Sequence, residues 1–160
     1  MGTTALAETV GSGADPPPEG WPDQRGDPHM LGRKDYTQQE IDHARAMVDE
    51  QLTLVSRAKV TQAGFEAMFF NTAVLALDRL FVHRVRTVTG KDTNPLSELE
   101  LICDSLMLAD GVMTTNKVIK YVPADSVVQL EPGDQIQLTA CDFERLATAC
   151  LDVLETRFLA

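Results

Sequence analysis

The sequence predicts a mainly α domain of the α+β class: four helices, the second apolar and central, with a short antiparallel β-hairpin before the last. Three observations lead there. Apolar residues recur at helical spacing in four blocks. Three of those blocks are preceded by a residue suited to cap a helix. The one stretch of alternating apolar and polar residues, near position 135, is short.

The first helix is predicted over 38–58. In "YTQQEI", Thr37 and Glu40 form a capping box, and Tyr36 with Ile41 makes a hydrophobic staple across it. Ile41, Ala44, Val48, Leu52 and Val55 then lie on one stripe. The second helix is predicted over 63–89, closed by Gly90. Its apolar residues, from Phe65 and Met68 through Phe70, Val74 and Leu77 to Val85, point in different directions, so it is expected to be surrounded by other helices.

Asn94 and Pro95 fit the N-cap and first position of a third helix, with Leu99, Ile102 and Leu106 inward and Gly111 at its end. Two short strands follow, "KVIKYV" and "SVVQLEPGDQIQLT", with Pro132 and Gly133 in a turn. Thr139 caps the last helix, 140–158, whose inward stripe contains Phe143, Leu146, Cys150, Leu154 and Phe158.

Organisation along the chain is simple. Residues 1–30 hold five of the ten glycines and five of the eight prolines, including "DPPPEGWPDQ", so this arm is expected to be disordered. Trp21 lies within it as a lone aromatic, and Met30 is a candidate for an alternative translation start. Residues 31–160 form one helical domain with a small β insert. A share of 44% apolar and 24% charged residues suits a globular core.

Charge narrows the partners. A net charge of −10 and a pI near 4.6 give a field that repels phosphate backbones, so nucleic acid and anionic membrane surfaces are not expected partners. No secretory signal is visible in "MGTTALAETV", and Asp78 and Arg79 interrupt the most apolar run, "AVLALDRLFV". The expected location is cytoplasmic. Cys103, Cys141 and Cys150 are widely spaced and suit reduced structural thiols.

From "MLGRKDYTQQEIDHARAMVDEQL" through "LALDRLFVHRVRTVTGKDTNPLSELELICDSLM" to "DFERLATACLDVLETRF", residues 30–159, the chain resembles a family of small actinobacterial proteins with no assigned activity. The resemblance implies a cytosolic bacterial protein and supplies no site residues.

Candidate chemistry concentrates in "DRLFVHRVRTVTGKDTNP". Arg79, His83 and Arg86 fall at i, i+4 and i+7 on one helical stripe, Arg84 projects to another side, and Lys91 follows. Four of the chain's 14 Lys and Arg residues lie between 79 and 91 with no acid among them. Cations at a helix C-terminus complement its macrodipole, which explains the cluster structurally. With the N–H groups beginning the next helix at Asn94, the same residues also form a candidate anion site. "TVTGKDT" is no phosphate loop, because Val85 and Asp92 stand where a glycine and a Ser or Thr are required.

Glu40 and His43 spell ExxH, the two-ligand unit of di-iron bundles, but no second copy exists and Glu40 is the capping glutamate. No complete catalytic set is visible and no cofactor is implied. The expected function is a non-enzymatic interaction module, homodimeric because four helices cannot cover so apolar a second helix. The alternative is a small-molecule binder or enzyme acting on an anionic metabolite at Arg79, His83 and Arg86.

Overall fold

The computed structural model describes residues 35–81 and 92–160. The arm at 1–30 and the second half of the basic stretch lie outside the described residues. Among the described residues four α-helices carry the fold: α1, Gln38–Ala58; α2, Phe65–Leu80; α3, Pro95–Leu108; and α4, Ala140–Phe158.

Each start has a local cause. Thr37 Oγ1 accepts from the Glu40 N–H while Glu40 Oε2 accepts from the Thr37 N–H at 2.9 Å, the capping box the sequence announces. Thr139 and Asp142 make the same reciprocal pair on α4. Asn94 Oδ1 accepts from the Leu96 and Ser97 N–H groups at 3.0 and 3.1 Å, with Pro95 at the first position of α3.

The helices run alternately up and down. Gln38, at the start of α1, donates to Glu155 near the end of α4, so these two are antiparallel. Glu66, opening α2, accepts from the backbone N–H of Ala140, opening α4, so α2 and α4 start at the same end. The Cys150 thiol, midway along α4, approaches the Pro95 carbonyl at 3.2 Å, while Gly111, just past α3, pairs with Ile136, just before α4; together these set α3 antiparallel to α4. α1 and α3 sit diagonally, separated by α2 and α4. One end, here the loop end, therefore carries Ala58, Phe65, Leu108 and Ala140. The opposite end carries Gln38, Leu80, Pro95 and Phe158.

The core is continuous. Phe70 of α2 packs on Phe143 of α4 with ring centroids 5.3 Å apart, both fully buried with Ile41, Val74, Leu77, Leu99, Ile102 and Leu146. At the end opposite the loops the two ends of the described chain are tied together. The Tyr36 N–H donates to the Phe158 carbonyl at 2.6 Å, and the Ala160 N–H donates to the Tyr36 carbonyl at 2.9 Å. The Tyr36 ring meets Phe81 edge-on at 5.1 Å.

Two expectations change. The second helix is shorter than its apolar spacing suggests, ending at Leu80. Nor is it surrounded: Phe70, Ala73, Val74 and Leu77 are buried, but Met68 is 64% exposed and Phe69 only half-buried.

The hairpin is the other correction, since no strand occurs among the described residues. The Pro132–Gly133 turn does form, with the Asp134 N–H donating to the Glu131 carbonyl at 3.0 Å and Gly133 at φ +101°. Ile136 and Leu138 alternate inward as expected. Their neighbours pair, however, with 111–113 and not with 117–128: Met113 N–H to Asp134 O and Ile136 N–H to Gly111 O are both 2.8 Å.

The intervening chain is a strap that leaves the loop end, travels towards the opposite end and returns. Many of its N–H groups are spent on side chains, and those of Tyr121, Asp125 and Ser126 close local turns on backbone carbonyls, which competes with a ladder. Asn116 Oδ1 takes those of Val118 and Ile119, Thr93 Oγ1 that of Val122, and Ser126 Oγ that of Gln129. A single 3₁₀ turn, Pro123–Asp125, reverses it, and Gln129 at φ +62° breaks any extended run.

Candidate functional site

Three places combine chemistry with position: the cleft between the start of α1 and the end of α2, the buried carboxylate under the strap, and the loop end.

The cleft, about 300 Å³, is lined by Gln39, Glu40, His43, Leu80 and Phe81. It brings the Glu40 and His43 pair beside the last turn of α2, where Arg79 is exposed. Glu40 Oε2 is committed to the Thr37 N–H and hydroxyl, both at 2.9 Å, while His43 is exposed. Among the described residues no group of three or more His, Cys, Asp or Glu side chains is gathered to hold a metal. His83, Arg84, Arg86 and Lys91 lie outside the described residues.

Asn94 is a structural cap whose groups are in use. It is buried, and it fills the start of α3 with its own Oδ1. Its amide donates to Asp92 Oδ1 at 3.0 Å, which holds the Asp92 carboxyl below the usual carboxylate range. A carboxylate therefore stands beside the helix start that the sequence offered to an anion.

The strap is fastened by a residue that sequence reasoning passed over. Glu98, in the first turn of α3, is 1% exposed. Its Oε2 accepts from the Val127 N–H at 2.7 Å and its Oε1 from the Val128 N–H at 2.8 Å. Burial pushes its pKa up, opposed by those two N–H groups, by the Ser126 hydroxyl and by the nearby Arg145 cation.

Around it the strap closes a polar network. The Tyr121 hydroxyl donates to the Leu130 carbonyl at 2.9 Å and lies 3.1 Å from Ser126 Oγ. Arg145 of α4 donates to the Val127 carbonyl. Burial also raises the Tyr121 pKa, against the pull of the Ser126 bond. Ser126 Oγ donates to the Pro123 carbonyl at 2.9 Å and accepts from Gln129, so it is a turn residue with its hydrogen bonds spoken for. The arrangement holds a loop; it presents no nucleophile with a free base.

Cys103 and Cys150 are buried thiols pointing at the Val74 and Pro95 carbonyls, as structural cysteines do, while Cys141 is exposed at the start of α4.

The loop end differs in kind. Leu54 near the end of α1, Val60 just past it, Met68 on α2, and Met107 with Leu108 ending α3 are exposed by 56, 43, 64, 67 and 83%. These are five of the eight exposed large apolar side chains among the described residues. Hydrogen bonds tie their supports together. Asn71, one turn beyond Met68, donates to the Ile136 carbonyl at 2.9 Å, and the Ile136 N–H reaches Gly111, just past Leu108.

Comparison with family models, with curated proteins and with solved structures gives no match. Function therefore rests on geometry. No helix is long and apolar enough to cross a membrane among the described residues.

Proposed function

We propose that the chain is a cytosolic, non-enzymatic interaction module that works as a homodimer. The observation that carries this reading is the gathering of five exposed large apolar side chains at one end of the bundle, in a chain whose net charge is −10. Leaving such side chains in water forgoes roughly 25 cal/mol for every Å² that a partner could cover, so their concentration in one place favours association. Two of the five are methionines, whose flexible thioethers adapt to a partner surface.

The polar networks point the same way. The side chains that chemistry could use, Glu98, Ser126, Tyr121 and Asn94, are occupied in holding the strap and the start of α3. The resemblance to small actinobacterial proteins is part of the same proposal and bears only on the setting. Light scattering at tens of micromolar tests the reading. A mass of about twice 17.6 kDa supports it, and a constant single-chain mass up to several hundred micromolar overturns it.

A further inference from the structure

The loop end carries more than apolar surface. Its α1 corner is cationic, with exposed Arg57 in the last turn of α1 and Lys59 at its C-cap. Its α3 corner is anionic, with exposed Asp110 following α3 and Asp134 in the turn paired beside it. Further acids at this end are Glu66, which accepts from Ala140, Asp142, which closes the α4 capping box, and exposed Glu131, whose N–H donates to Asp134 Oδ2 at 2.9 Å and which adds its charge to the same corner.

Because α1 and α3 occupy opposite corners, cations and anions face each other across the apolar residues. A two-fold rotation about an axis through that end lays the cationic corner of one copy on the anionic corner of the other, twice over, with Leu54, Val60, Met68, Met107 and Leu108 between them. Such a surface is complementary to itself. Elsewhere an acidic chain meets its own copy with like charges, and here the local charge changes sign across the interface. The segments 1–34 and 82–91 join the described chain at Asp35, Phe81 and Asp92, all at the opposite end.

We infer that the loop end is the homodimer interface, formed head to head about a two-fold axis, with Arg57 and Lys59 of each copy against Asp110 and Asp134 of the other. The inference rests on the homodimer reading and adds where and how the copies meet.

Sedimentation equilibrium on the full chain tests it with three variants, each checked for an unchanged circular dichroism spectrum. Leu108→Glu places a charge on a side chain that is 83% exposed, so the fold is unaffected. It should weaken the dimer at least tenfold, the scale of a truncated or charged hot spot. Arg57→Glu sets acid against acid and should raise the Kd by about three- to tenfold at low salt, with less effect at high salt. Adding Asp110→Lys to Arg57→Glu restores opposite charges and should return the Kd to within about twofold of wild type. A wild-type dimer whose Kd moves less than about twofold in both single variants places the interface elsewhere, overturning this inference and leaving the homodimer standing. A wild-type monomer overturns both.

Discussion

Glu98→Gln keeps the size and shape of the side chain and removes one thing, the second acceptor. The carboxylate receives the Val127 and Val128 N–H groups on separate oxygens at 2.7 and 2.8 Å. An amide accepts one of them and turns its own NH₂ towards the other, leaving a buried donor facing a donor. An unpaired buried donor costs about 1–3 kcal/mol, and the surviving bond loses its charge assistance. Relief from burying a charge offsets part of this. The expected net loss is about 1–3 kcal/mol, read by urea denaturation. Hydrogen exchange supplies the local signature: the Val127 and Val128 amides should lose protection while Phe70 and Leu146 in the core keep theirs. A loss below about 0.5 kcal/mol with both amides still protected would refute the view that this carboxylate fastens the strap.

Further expectations follow from the same contacts. Because burial raises the Glu98 pKa, the folded state keeps its proton to higher pH than the unfolded chain. Wild-type stability relative to the non-titrating Glu98→Gln should therefore fall as pH rises through the raised value, without being lost, because the ionised form still holds both N–H groups; a wild type that gains on the variant as pH rises contradicts the sign. Phe70→Ala, at a fully buried ring packed on Phe143, should cost about 3–5 kcal/mol by thermal or chemical denaturation, and a loss under about 1 would misplace the core. Asn94→Ala removes the acceptor for two N–H groups opening α3 and should cost about 1–2 kcal/mol. By contrast Arg45→Ala, which breaks partly exposed pairs with Asp152 and Glu155 at 2.9 and 2.7 Å, should cost no more than about 1 kcal/mol, and less in high salt.

What was legible in the sequence was local. Thr37 with Glu40, Asn94 with Pro95, and Thr139 mark their helix starts because a cap and the N–H groups it serves lie within three residues. The Pro132–Gly133 turn and the inward Ile136 and Leu138 are local in the same sense. The partner of that segment was not legible: what decides it is Asn116, Thr93 and Glu98 capturing the strap's N–H groups, the last across 29 and 30 residues of sequence. In the sequence Glu98 is one more acid in a first turn, and nothing nearby announces its burial.

The apolar surplus of α2 was legible and its distribution was not. A helix apolar on most faces reads as surrounded, whereas here Met68 is left at the surface because the diagonal arrangement covers only the Phe70, Val74 and Leu77 side. Of the proposed anion stripe, Arg79 is exposed and Asn94 is occupied as a cap, and the residues between them fall outside the described chain.

The arrangement of the dimer can be measured through a residue already in place. Cys141 is exposed at the start of α4, on the loop end, while Cys103 and Cys150 are buried, so a thiol-specific spin label reports from Cys141. In copies meeting head to head through the loop end, electron–electron dipolar spectroscopy should give one intermolecular distance of roughly 20–40 Å. If the copies meet through the opposite end, the labels are separated by twice the length of a 19-residue helix, about 57 Å at 1.5 Å per residue. A single distance under about 40 Å is the result predicted here; a distance beyond about 50 Å, or no intermolecular coupling at hundreds of micromolar, contradicts it.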